Sequence, residues 1–214
     1  MTNARRATCR LKAILAAFLL VGTHASTLGV TDKKGSPEEV LDRYYKMVND
    51  GVLLTSEGWA DAAKLFVRQN PEPNDELIFV TTKFPLGNGP MDVNGDHAVA
   101  YQKWVDDIGS IDSAFRYHPP PKESLQVEGT IRIFRLVLTD KHWELASDGK
   151  SEKEINGPEE WRMEGVLNVR LASREAAIRF LTEKRDEIAD PVVRKNADRT
   201  LAILNGLPVP RTHI

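Results

Sequence analysis

Only one cysteine, Cys9, occurs in this chain of 214 residues. It precedes the first apolar run, inside a segment that reads as a removable leader. The remainder then has no thiol, which excludes disulfides, thiolate metal sites, cysteine nucleophiles and redox relays. Aromatic residues are sparse at 7%, and 14 glycines with 12 prolines are near average, so collagenous and low-complexity classes are excluded too. Charge of neither sign dominates. A formal net charge of −2 gives no electrostatic footprint for nucleic acid. The sequence contains no GxSxG elbow, no Walker loop and no GxGxxG after a strand. His24 and His213 lie near the ends, and His97, His118 and His142 have no paired spacing, so no metal or other cofactor is expected.

With 41% apolar and 28% charged residues, the composition is that of a soluble globular domain. The N-terminus carries the clearest signal. Arg5, Arg6, Arg10 and Lys12 precede the run Ala13-Ile-Leu-Ala-Ala-Phe-Leu-Leu-Val-Gly22, and Thr23-His24-Ala25 follows. This is a signal peptide over 1–25, with cleavage after Ala25. Ten apolar residues span only ~15 Å as a helix, half of a ~30 Å hydrocarbon core. The expected product is therefore exported, periplasmic or secreted, with no membrane contact after cleavage. Losing those four cations and no acid moves the net charge from −2 to −6.

Residues 26–35 read as a linker. Ser36-Pro37-Glu38-Glu39 is a helix start, with Ser as cap, Pro at the first helical position and Glu three residues on. Val40, Leu41, Tyr44, Met47 and Val48 share one face, and Asp50-Gly51 stops the helix. A second helix is predicted from Thr55 or Ser56 to the Asn70-Pro71-Glu72-Pro73 break, with Trp59, Ala62, Ala63 and Phe66 inward. Leu77 to Thr82 reads as β, and Asn94-Gly95 marks a hairpin between Met91–Val93 and Ala98–Val105. Asp106 to Asp112 reads as a polar turn region, with a short strand over 113–117. A long strand over 129–139 is apolar on both faces, which predicts a central position. Lys150 to Pro158 reads as a charged loop, and 160–171 as strand. Two helices close the chain, the first capped by Ser173 and the second by Asp190-Pro191. This hairpin over 172–206 places Phe180, Leu181, Ile188, Val193, Leu201 and Leu204 inward, so it should dock rather than float. Residues 207–214 read as a flexible tail.

The segments Glu39-Val-Leu-Asp-Arg-Tyr-Tyr-Lys-Met-Val-Asn-Asp-Gly51 and Met91-Asp-Val-Asn-Gly-Asp-His-Ala-Val-Ala-Tyr101 resemble the opening helix and hairpin of the nuclear transport factor two-like superfamily. That superfamily includes ketosteroid isomerase, scytalone dehydratase and the SnoaL-like cyclases. The resemblance covers 36–171 and implies an α+β fold. In it, N-terminal helices pack in a curved, mainly antiparallel, cone-like sheet, here with the C-terminal helical hairpin added. It also implies that Tyr44 corresponds to the isomerase tyrosine that donates to the substrate oxygen. The matching base would lie just after the second helix, where only Glu72 and Asp75 stand, and neither is on an apolar strand.

Each candidate has a functional and a plain structural reading. Tyr44 on an amphipathic face is either a pocket donor or a core residue. Trp59 and Trp104 either line a ligand cavity or pack the core. His97 and His142 are either general bases or solvated turn residues. The expected function is non-catalytic binding of a small apolar ligand or of a protein partner. That partner would meet the sheet or the hairpin, a second copy of the chain included. The alternative is a lyase or isomerase of a small apolar substrate, using Tyr44 and an unidentified carboxylate.

Overall fold

The first helix follows its sequence signals residue for residue. In the computed structural model, which describes residues 35–69, 77–87, 90–102, 105–121, 132–146 and 151–206, α1 spans Pro37–Asp50. The Ser36 side chain accepts from the Glu39 N–H, and the Glu39 carboxylate accepts from the Ser36 N–H. At the other end Gly51 sits at φ 75°, where a side chain would be strained. A 3-10 turn (Val52–Leu54) leads into α2 (Ser56–Ala63), capped by Thr55. All described residues belong to one compact unit, Lys34–Ile214. The leader, all but the last residue of the linker, the tail and Trp104 lie outside the described residues. Among the described residues, no helix is long and apolar enough to cross a membrane.

α2 is shorter than its periodicity suggests. It ends at Ala63, and Phe66 enters β1 (Phe66–Arg68), paired in parallel with β8 (Glu152–Val166). Tertiary pairing wins here: the Met163 N–H donates to the Leu65 carbonyl at 2.8 Å, which ends helical bonding. The remaining strands are β2 (Ile78–Thr81), β3 (Met91–Asn94), β4 (His97–Gln102), β5 (Asp107–Ile111), β6 (Tyr117–His118), β7 (Arg132–Leu145) and β9 (Arg170–Ser173). After β9 come α3 (Arg174–Arg185) and α4 (Pro191–Gly206). The fold is α+β, with mixed sheets.

The strands form two sheets rather than one. The five-stranded sheet has the order β1-β8-β7-β4-β3, and the four-stranded sheet has the order β6-β5-β2-β9. The larger sheet has two parallel pairings, β1 with β8 and, at Arg68 and Trp143, β1 with β7, and the smaller has one, β2 with β9. β7 is central, as predicted, lying between β4 and β8. Its outer face is not covered, however, since Ile133 is 55% exposed. In the β3–β4 hairpin Asn94 pairs with His97, so the two loop residues are Gly95-Asp96, with Gly95 at φ 63°.

Each sheet has its own core. α1 and α2 pack on the face of the larger sheet that carries Ala98, Ala100, Leu136 and Met163. α3 and α4 pack on the smaller sheet through Ala176, Ala177, Leu181 and Leu204, against Ile78, Val80 and Ile111. β9 serves both cores by strand alternation: Leu171 belongs to the first and Ala172 to the second. The boundary at 171/172 therefore falls inside a strand, at the seam of the two cores. Ser173 reinforces that seam. Its hydroxyl donates to the Asn49 carbonyl of α1 while accepting from the Ala176 N–H to cap α3.

Candidate functional site

The space between α1 and the larger sheet is where the resemblance places a ligand, and aromatic side chains fill it. Tyr45 stacks on Phe84 with ring centroids 4.7 Å apart, and Phe134 meets Tyr45 edge-on at 5.4 Å. Tyr44 meets Phe66 edge-on at 5.7 Å and Phe134 at 6.1 Å. Trp59 is only 2% exposed and belongs to the same cluster. Two of the three ligand candidates, Tyr44 and Trp59, are thus packed in the core, and the third, Trp104, is not among the described residues. The cavity at this place, beside Asp42, Tyr45 and Gln102, measures about 10 Å³, the size of one water.

Burial dominates the electrostatics of this interior. Burial pushes the Tyr44 phenol up to about 12, partly offset by the Arg132 charge. Burial also raises Tyr45, helped by Asp42 and Tyr44 and opposed by Arg132. Both tyrosines therefore stay neutral at ordinary pH. The charged group acting on Tyr44 is the Arg132 cation, and the carboxylate acting on Tyr45 is Asp42. Arg132 itself donates to Asp107 and lies 5.9 Å from the Phe84 ring centroid.

A larger concavity lies elsewhere, between β6 and α4. It has a volume of about 470 Å³ and is lined by Arg116, Tyr117, His118, Pro119, Asn196, Arg199, Thr200 and Ile203. The local chain is built around Asp112. Its carboxylate accepts from the backbone N–H groups of Ala114 and Arg116 and from Arg116 Nε, and lies 2.9 Å from His118 Nε2. Burial pushes this carboxyl upward, but the bonds from His118 and from the Arg116 backbone and side chain outweigh it and hold it at about 2. Asp112 is therefore an anion at ordinary pH that fixes Arg116 and His118 at the rim.

The turn after Asp112 puts Phe115 at φ 55°, an uncommon conformation for a bulky residue. It is held there from both helices. Thr200 Oγ1 donates to the Phe115 carbonyl at 2.7 Å, Asn196 Nδ2 donates to the Ala114 carbonyl at 3.1 Å, and the Phe180 ring lies 6.5 Å from the Phe115 ring. Tyr117 is oriented by its hydroxyl, which donates to the Ile108 carbonyl at 2.6 Å. The cleft thus has a rigid floor, an apolar wall and a cationic rim.

None of its residues stands out in the sequence as a site. Asp112, Arg116 and His118 lie four and two apart around a turn, and Arg199 is one of many charges on its helix. The signal is their tertiary meeting with α4. His97 sits exposed beside Asp96 at 2.9 Å, and His142 lies 2.9 Å from Glu144, so each histidine has a local acidic neighbour. Among the described residues, no group of three or more His, Cys, Asp or Glu side chains is placed to hold a metal ion. Compared with known proteins, the chain matches no family model, no curated protein and no solved structure.

Proposed function

We propose that this chain is an exported, non-catalytic binding domain whose binding surface is the β6–α4 cleft. On this reading the larger sheet curves round α1 in the cone-like manner of the nuclear transport factor two-like superfamily, and α3 with α4 is the added helical hairpin. The order of α1, α2 and the β3–β4 hairpin supports that resemblance. The observation that carries the functional reading is the contrast between two concavities. The one under α1 holds about 10 Å³ and is filled with rings, whereas the one between β6 and α4 holds about 470 Å³ and joins polar to apolar lining. Small-ligand sites measure roughly 300–1,000 Å³, which only the second reaches.

The test is a soak of the purified chain in a metabolite mixture, with mass spectrometry of what stays bound. Ile203→Trp, which fills the cleft, serves as the control. A compound retained by the native chain and lost from the variant supports the reading. A compound retained equally by both places binding elsewhere and overturns it. Conversion of a soaked compound to a product would restore the lyase or isomerase alternative.

A further inference from the structure

We propose that the β6–α4 cleft takes a small amphipathic oxyanion, a carboxylate or phosphate carried on an aromatic or branched apolar body. The oxyanion sits between Arg199 and Arg116, and the body lies against Tyr117, Pro119 and Ile203. This rests on the reading that the cleft is the binding surface, and it names what the surface recognises.

The charge balance is the first argument. Arg199 has no ion-pair partner among the described residues. Arg116 commits its Nε and backbone N–H to Asp112, which leaves its terminal guanidinium nitrogens without a hydrogen bond among the described residues. Asp112 thus engages Arg116 alone of the two guanidinium groups that line the cleft, and Arg199 on the α4 wall adds a second cation to the rim. Asp198, one turn-position from Arg199, is already engaged by Arg185 of α3. Guanidinium groups bind carboxylate and phosphate through paired N–H donors, so the missing partner is an oxyanion.

The second argument is preorganisation. Asp112 positions Arg116, the hydroxyl bond to Ile108 orients the Tyr117 ring, and Thr200 with Asn196 clamps the strained Phe115 turn onto α4. A cleft held this way loses little side-chain freedom when it is occupied.

The third argument separates a small molecule from a peptide. A peptide entering between a strand and a helix normally adds to the strand edge through backbone bonds. Here the edge strand β6 is two residues long and is followed by Pro119-Pro120-Pro121, which supply no N–H. With no ladder to extend, side chains must hold the occupant, and these side chains offer two cations and an apolar wall.

The experiment is calorimetric titration of the full chain with phenylacetate and phenyl phosphate. Inorganic phosphate and benzyl alcohol serve as the separate halves. Both amphipathic probes should bind about tenfold more tightly than either half. Arg199→Gln and Ile203→Ser should each weaken them roughly fivefold, with circular dichroism melts unchanged, while Lys153→Gln on β8, outside the cleft lining, has no effect. Either order of the two probes supports the proposal and tells which oxyanion is preferred. Inorganic phosphate binding as tightly as phenyl phosphate means a bare anion site and overturns it. Benzyl alcohol binding equally well, indifferent to Arg199→Gln, also overturns it but leaves the cleft as the binding surface. An acidic peptide binding more tightly than both probes replaces the small molecule with a protein partner. If no probe binds, the oxyanion proposal falls. The cleft reading falls with it only when Ile203→Trp also retains whatever the native chain retains.

Discussion

Thr200 of α4 donates its hydroxyl to the carbonyl of Phe115 at 2.7 Å, and Phe115 is the one non-glycine residue with positive φ among the described residues. Thr200 is 1% exposed and Phe115 half-buried, so the bond is part-buried. Thr200→Val keeps the shape but leaves that carbonyl unpaired, which costs about 1–3 kcal/mol. Urea denaturation should show the loss, and oxyanion probes should bind more weakly because the turn carrying Arg116 relaxes.

Asn49 makes a second long-range polar lock. Its side-chain amide donates to the Phe84 carbonyl and accepts from the Phe84 N–H, both at 2.8 Å and both buried. Asn49→Ala removes both partners at once, so a loss of about 2–5 kcal/mol is expected. Thermal melts check it. A loss within experimental error would mean that water replaces the side chain.

Gly109 stands at φ 153° on β5, and a Cβ there would come within 2.5 Å of the His118 carbonyl and 2.7 Å of the Tyr117 ring. Gly109→Ala should push β6 away from β5 and distort the cleft floor. The expected outcome is a destabilised chain, by about 1–3 kcal/mol, that no longer distinguishes phenyl phosphate from inorganic phosphate.

Leu204 and Leu181 are fully buried between α4, α3 and the smaller sheet. Leu204→Ala should cost about 2–5 kcal/mol. Hydrogen exchange should quicken in β2 and β5 as well as in α4, because these elements share one core. Quickening confined to α4 would show that the helices dock only loosely.

Two pH dependences follow, with opposite signs. Asp112 ionises at about 2 when folded, against 3.8 for an unperturbed carboxyl, so its stabilisation is complete above about pH 4 and disappears as pH falls through about 2. Asp112→Asn should be less stable than the native chain near neutrality and match it in strong acid. Tyr44 moves the other way, from 10.0 to about 12. The unfolded chain loses that proton first, so stability is intact below pH 10 and falls as pH rises toward 12. Tyr44→Phe should flatten this alkaline decline in pH-dependent melts.

Where local signals coincide with tertiary structure, the sequence is readable. Ser36, Pro37, Glu39 and Gly51 specify α1 from end to end, and Ser173 and Asp190-Pro191 mark α3 and α4. The losses come where burial is one-sided or absent. Residues 152–158 are exposed or half-buried on both faces of the β7–β8 ribbon, so charged residues alternate with no apolar rhythm and the strand reads as a loop. In β5 the buried positions are Gly109 and Ile111, and a glycine gives no hydrophobic signal. Tyr44 and Trp59 look the same in sequence whether they line a cavity or fill a core. The cleft is hidden because Arg116 and Arg199 lie far apart in the chain and come to line one concavity only when α4 packs against β6.

The parallel pairing of β2 with β9 has a consequence for how the chain is made. Ile78 finds its partner Arg170 roughly 90 residues downstream. During synthesis, β2 and β5 emerge long before β9 and the helices that cover them, and their apolar face stays open throughout. The smaller core cannot close until nearly the whole polypeptide exists. Folding should therefore be late and cooperative rather than stepwise from the N-terminus.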